Sequence, residues 1–371
     1  MRSLLALLAL MVTSPMARAD EAQAAKDATI VETLLRIKTV DVNANAKLKE
    51  AVLRHLELHK GTPKYVDLVD RLNLQGMEEE LLSIALAAPA STQGVHAGEL
   101  LLKRSGADLI VAEITGDDEE LAKKTILLLG YIGNPDSIAI LKPLVIDQHQ
   151  SRSIRTAAAN ALGRSRLGER YLLRLVQDTR LPADLNFTVA NVLYASTDDS
   201  IRAEVAKHLV LPATAGSKPL PPVSELAKRS GDVAHGQELF KTKATCIKCH
   251  KVRGEGKEVG PDLSEIGSKL SREAMFVSIL DPSAGISHNY ETYSAILDSG
   301  NIVTGLKVSE TDDSITIRSA ESIDKVISKD ELEEVIKSSV SLMPADLQKT
   351  MSEQELVDVV EFIATLKKPG A

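Results

Sequence analysis

The chain has 371 residues, 44% hydrophobic, 26% charged and 3% aromatic, with a formal net charge of -8. A length of this kind points to two or three domains, since single apolar cores stop growing below it, and the apolar and charged fractions exclude disordered and collagen-like chains. The acid excess argues against general nucleic-acid binding, which needs a basic footprint, and the 2 cysteines leave room for one disulfide, a metal pair or a covalent cofactor but not for a disulfide framework.

The first predicted element is a leader. Arg2 precedes the apolar run Leu4 to Val12 and then Ser14-Pro15-Met16-Ala17-Arg18-Ala19. A charged start, an apolar stretch too short to span a bilayer and a small-x-small site read as a signal peptide over residues 1–19, cleaved after Ala19. The site lacks a cysteine, which argues against a lipoprotein. Cleavage removes Arg2 and Arg18 and makes the remaining chain more acidic. No later stretch is long and apolar enough for a membrane span, so an exported, periplasmic protein is expected.

Residues 20–211 read as successive helices. Apolar residues recur at helical spacing in Leu121 with Ile126 to Leu129, and in Ile138, Leu141, Leu144 and Val145. Breaks fall at Gly116-Asp117-Asp118, Gly133-Asn134-Pro135-Asp136, Gly163 and Thr197-Asp198-Asp199. Similar helix ends recur at Leu129, Leu162 and Leu193, about 32 residues apart, a period that suits stacked helix pairs. Ser153 to Gly163, with its run of small alanines and a glycine expected to end the helix, resembles a HEAT-type repeat helix, as does Ile201 to Leu209. Before residue 120 the helices show no clean period, and an irregular helical bundle is the alternative. His55 and His59 stand four apart and could chelate a metal; without the glutamate of an HExxH motif, a solvated helix face is the expected setting. Pro212, Pro219, Pro221 and Pro222 then mark residues 212–230 as an extended spacer and the boundary to a domain over 231–371.

Both cysteines fall in Cys246-Ile247-Lys248-Cys249-His250. This CxxCH spacing is the attachment signature of a c-type haem: two thiols one turn apart can each bond a vinyl group while the adjacent imidazole reaches iron. A redox dithiol would need a βαβ context that is absent. A structural zinc would need a second ligand pair, and a plain disulfide would leave His250 without a role. One covalent haem c is therefore expected.

The flanks resemble class I cytochrome c. Gly236-Gln237-Glu238-Leu239-Phe240 precedes the motif, Val259-Gly260-Pro261-Asp262-Leu263 follows it, and Ser352 to Leu366 forms a closing amphipathic helix with Ser352 as N-cap and Glu355 completing a capping box. The resemblance implies that the Pro261 carbonyl accepts a hydrogen bond from His250, and that Phe362 packs on the first helix near Gly236. The sixth ligand is sought beyond Pro261. Met343, in Ser341-Leu342-Met343-Pro344, is the favoured candidate because the proline holds it in extended backbone. Met275 is expected in the core, Met351 is a weaker rival, and His235 or His288 would give bis-histidine ligation. Methionine–histidine ligation raises the potential relative to bis-histidine.

The stretch from His250 to Met343 exceeds a minimal cytochrome. Tyr290 to Leu297, Ile302 to Val308, Ser314 to Arg318 and Lys325 to Ile327 have strand character, with a turn at Asp298-Ser299-Gly300-Asn301. A small antiparallel β insert is expected over about 290–328. With the motifs Leu280-Asp281-Pro282-Ser283-Ala284, Tyr290-Glu291-Thr292-Tyr293 and Ser341 to Pro344, residues 231–368 resemble the Pirellula/Verrucomicrobium-type haem-binding domain of exported proteins.

The expected fold is mainly α: a HEAT-like solenoid, then an α-helical cytochrome c domain carrying the β insert. The expected function is electron transfer with a redox partner protein, a dehydrogenase or oxidase, docked on the repeats, and no catalytic residues. The alternatives are a haem enzyme or a redox or gas sensor with an open or labile sixth ligand, and a repeat-based binding scaffold with an accessory haem. Six basic residues from Lys241 to Lys257 against one acid, Glu255, suggest a surface steering an acidic partner or an ordinary solvated face.

Overall fold

The computed structural model describes residues 15–37, 39–104 and 106–368, with only the backbone described for residues 15–19. The expected leader thus lies outside the described residues through position 14. The chain divides between Ser137 and Ile138 into two compact units.

The first unit holds α1 (Pro15–Ile37), α2 (Ala46–Glu57), α3 (Pro63–Arg71), α4 (Glu78–Ala87), α5 (Thr92–Lys103), α6 (Ala107–Thr115) and α7 (Glu119–Ile132). Local chemistry sets their ends. Asn45 caps α2 through the amides of Lys47 and Leu48, and Asp118 caps α7 through those of Glu120 and Leu121. Gly133 ends α7 at φ 61°, a left-handed position that suits glycine, and its amide bonds the Leu129 carbonyl. Val52, Leu56, Val66, Val69, Leu81 and Leu101 face inward and are buried.

One expectation fails here. His55 does not sit on a solvated face: it is 7% exposed, because α1 lies along α2 and covers that side. Its Nε2 is 3.2 Å from the Nε2 of His59, and burial holds both imidazoles below their ordinary range.

The division falls within α8 (Pro135–Ile146). The second unit continues with α9 (Arg152–Leu162), α10 (Arg166–Gln177), α11 (Asn186–Tyr194) and α12 (Asp199–Val205). These form helix pairs in which α9 packs on α11 and α10 on α12, the stacking a solenoid requires. Gly163 does follow the last residue of α9, but with φ of -62° it is no left-handed cap. Its smallness serves packing instead, since a Cβ there would lie 2.3 Å from Cγ1 of Val192 on α11.

The proline-rich stretch is a strap rather than a free spacer. Ala213 bridges Pro219, and the short helix α13 (Val223–Leu226) follows. Leu220, Val223 and Leu226 are buried in the C-terminal core. Proline breaks helices but does not prevent burial of the apolar residues between the breaks. Polar ties hold both ends of the strap: the Ala215 amide donates to the Met351 carbonyl at 2.9 Å, and the Val223 amide to Asn191 Oδ1 of α11 at 2.7 Å.

That C-terminal core is built by α14 (Val233–Lys241), α15 (Arg272–Leu280) and α16 (Glu353–Ala364). The capping box of Ser352 and Glu355 forms as expected. The α14–α16 crossing is close: a Cβ on Gly236 would fall 1.9 Å from the Asp358 carbonyl oxygen. Phe240 and Phe362 meet there edge to face at 5.5 Å.

Between α14 and α15 lies a hairpin of β1 (Lys251–Val252) and β2 (Glu255–Gly256). After α15 come β3 (Thr292–Leu297), β4 (Ile302–Glu310), β5 (Ser314–Arg318), β6 (Asp324–Ser328) and β7 (Leu332–Lys337), an antiparallel sheet ordered β6-β5-β4-β3-β7. Ala295, Leu297, Ile315, Ile317 and Ile327 alternate onto one buried face. The insert extends past the expected 328, because the charged segment Leu332–Lys337 pairs with β3 as an edge strand.

Candidate functional site

Helix α14 delivers the chain into the cysteine motif. Thr245 takes a left-handed φ of 56°, and Cys246–Lys248 then form a 3-10 turn. The His250 amide donates to the Cys246 carbonyl at 2.9 Å, so both thiols and the imidazole emerge from one turn of backbone. The β1–β2 hairpin follows at once. Its two-residue loop, Arg253-Gly254, has positive φ at both positions, 49° and 88°, the geometry that lets a short loop match strand twist.

The hairpin returns the chain beneath the motif. The amides of Val259 and Gly260 both donate to the Cys249 carbonyl, at 3.0 and 2.8 Å. His250 Nδ1–H donates to the Pro261 carbonyl at 2.8 Å, the bond implied by the cytochrome resemblance. That bond sets the tautomer and leaves Nε2 as the nitrogen for a metal. Gly260 makes room for the ring, since a Cβ there would lie 2.5 Å from His250 Cε1 and 2.7 Å from Nδ1.

Cys246, Cys249, His250, Pro261 and Met343 border one open cleft, alongside apolar walls from α15 and from Pro282 to Ile286. Cofactor sites are typically concave and mostly apolar with a few placed polar groups. Burial pushes the Cys246 thiol up to about 12 and raises Cys249 as well. A redox dithiol needs the opposite shift, and both thiols are free. Burial also lowers the His250 imidazole, only partly opposed by its bond to Pro261; a neutral ring is what iron binds. Among the described residues no three His, Cys, Asp or Glu side chains converge as a metal-binding group. Two thiols, one oriented neutral imidazole and an apolar cavity fit a covalently attached haem.

The rival ligands fall in different places. Met343 is half-buried on its loop; its amide donates to Ser341 Oγ at 3.2 Å, and the Ser341 amide to Ser283 Oγ at 3.0 Å. Met275 is buried on α15 and also borders the cleft. Met351 is core and lies off the cleft lining, as do His235, bonded to Asp358 at 2.8 Å, and His288, whose side chain is 89% exposed.

Half of the basic residues in the segment pair with acids. Lys241 pairs with Glu255, Lys243 with Glu355 and Lys251 with Glu258, while Lys257 donates to the Glu321 carbonyl. Glu355, remote in sequence, and Glu258, just past the segment, thus answer two charges that the local count left standing. The contacts tying the cleft loops to distant segments carried no sequence signal either: Ser283 and Ser341 were visible as motif residues, but not as partners.

A family model described as cytochrome c matches residues 233–316, and one described as HEAT repeats matches residues 107–182. A search of curated proteins finds no match to the chain. The first match includes the cysteine motif and Pro261 but ends before Met343 and α16. The chain therefore carries a cytochrome c domain, which implies a c-type haem, behind HEAT repeats, which suggest protein interaction. Among the described residues no helix is long and apolar enough to cross a membrane.

Proposed function

We propose that the protein is an exported electron carrier holding one haem covalently through Cys246 and Cys249, with His250 and Met343 as axial ligands. The observation that carries this reading is the cleft: both thiols, the Pro261-bonded imidazole and a loop methionine border the same cavity. When bound, the haem supplies an iron that accepts and returns one electron. The protein's groups tune and shield that site. Pro261 fixes His250 in one tautomer and raises its basicity. The Met343 thioether, a soft donor, favours a higher potential than a second imidazole would. The apolar walls from α15 lower the polarity on that side of the cleft.

The repeats would dock the redox partner, a dehydrogenase or oxidase. Export is proposed from the leader pattern of residues 1–19, and the finer placement with Pirellula/Verrucomicrobium-type domains from the motifs flanking the β insert. The test is spectroscopic. Met343→Ala should abolish the far-red methionine–iron band of the oxidised protein, and Met275→Ala should keep it. Retention of the band in Met343→Ala would refute the assignment.

A further inference from the structure

We infer that Arg152, on the repeat helix α9, is a positioning residue for the sixth-ligand loop. Its guanidinium donates through Nη2 to both carboxylate oxygens of Asp281, at 2.7 and 2.8 Å. The two side chains are only 14% and 10% exposed. Arg152 is itself held: Nε and Nη2 also donate to the Asp184 carbonyl, at 3.1 and 2.6 Å, and the Asp184 carboxylate is gripped by Arg155. A planar guanidinium tied on two sides fixes orientation as well as charge.

Asp281 is the C-cap of α15, and the cleft wall resumes at the next residue, Pro282. Its amide bonds the Val277 carbonyl at 2.8 Å, and its carbonyl accepts from Ala284 at 2.9 Å, closing a turn around Ser283. From that turn Ser283 Oγ accepts the Ser341 amide at 3.0 Å, and Ser341 Oγ accepts the Met343 amide at 3.2 Å. The methionine segment belongs to neither helix nor strand, so these hydroxyl bonds are its tether. The path from repeats to ligand loop is thus Arg152, Asp281, Ser283, Ser341, Met343. Phe187 of α11 also packs against the C-terminal core. A ligand held off its place by a fraction of an ångström loses function, and here the outermost member of the supporting chain lies in the repeats.

The inference rests on Met343 as ligand, and its test separates the two claims. The full-length haem-loaded protein is titrated with imidazole, which competes with a methionine for iron, and the amide exchange of residues 341–343 is measured alongside. Arg152→Ala and Asp281→Asn should each raise imidazole affinity about tenfold and accelerate exchange at 341–343, with α16 protection unchanged. Arg152→Lys should recover part of the effect. Ser283→Ala should mimic Arg152→Ala, and the double variant should add little, as for residues on one path. Wild-type imidazole affinity and exchange in both Arg152→Ala and Asp281→Asn would overturn the inference. So would loss of α16 protection in both, which would mark the pair as serving stability alone. Failure of the ligand reading shows separately, as imidazole affinity indifferent to Met343→Ala, while exchange at 341–343 still reports the tether.

Discussion

Replacing Gly260 by alanine tests the geometry around the proximal histidine. The new Cβ would meet His250 Cε1 at 2.5 Å, Nδ1 at 2.7 Å and Nε2 at 3.0 Å. Ordinary contact begins near 3.4 Å, so ring and loop must separate by about 0.9 Å, typical of overpacking that costs about 1–3 kcal/mol. The ring cannot retreat alone. It is bonded to Pro261 at 2.8 Å, while Gly260 is bonded to Cys249 at 2.8 Å. Separation stretches the Pro261 bond past useful length, losing about 1 kcal/mol more. Against this, alanine restricts the unfolded chain and returns about 0.4–1 kcal/mol. The clash wins, with a net loss of about 1–3 kcal/mol, or about 2–12 °C in Tm for a unit of this size. A weaker Nδ1 bond also lowers imidazole basicity, which destabilises the oxidised state; at 59 mV per tenfold for one electron, the midpoint potential should rise by roughly 10–60 mV. Thermal melts and spectroelectrochemical titration of the haem-loaded protein read both effects. A variant with wild-type Tm and potential would refute the reasoning.

Gly236→Ala should destabilise the protein by about 2–4 kcal/mol in denaturant unfolding, because its Cβ would overlap the Asp358 carbonyl at 1.9 Å and overwhelm the roughly 1 kcal/mol helix-propensity gain; equal or higher stability would contradict the crossing. Cys246→Ser or Cys249→Ser should leave haem attached through a single thioether, and the double variant should release it to acid–organic extraction, with retention after extraction counting against covalent attachment through these thiols. His235 is raised above its ordinary 6.5 by its bond to Asp358, so its stabilising contribution is complete below pH 6.5 and fades as pH climbs through the raised value. Asp358 is pushed up by burial but held below its ordinary 3.8 by bonds from the Asp232 amide, Gln354 and His235, so its contribution is present above pH 3.8 and lost only at stronger acidity. His235→Gln should flatten the pH dependence of Tm above 6.5; an unchanged slope would dismiss the pairing.

Features governed by short-range chemistry were legible in the residues. The CxxCH turn and the Ser352 capping box depend on neighbours a few positions away, and the Pro261 bond followed from a family pattern. What escaped was set by contacts distant in sequence. Leu332–Lys337 carries too many charges to read as a strand, yet β3 offers it an edge. The prolines around residue 220 signalled a break truthfully while hiding that Leu220, Val223 and Leu226 are buried. His55 looked solvated because its cover comes from α1. The apparent basic patch is partly offset by Glu355 and Glu258, and Arg152 and Asp281 meet across 129 positions.

The central claim is tested most directly by purifying the protein from a host able to attach haem c, and determining intact mass together with oxidised and reduced spectra. The account predicts a chain heavier by one haem that resists extraction, a c-type reduced spectrum and a far-red methionine band when oxidised. A colourless chain of unmodified mass from such a host would contradict it.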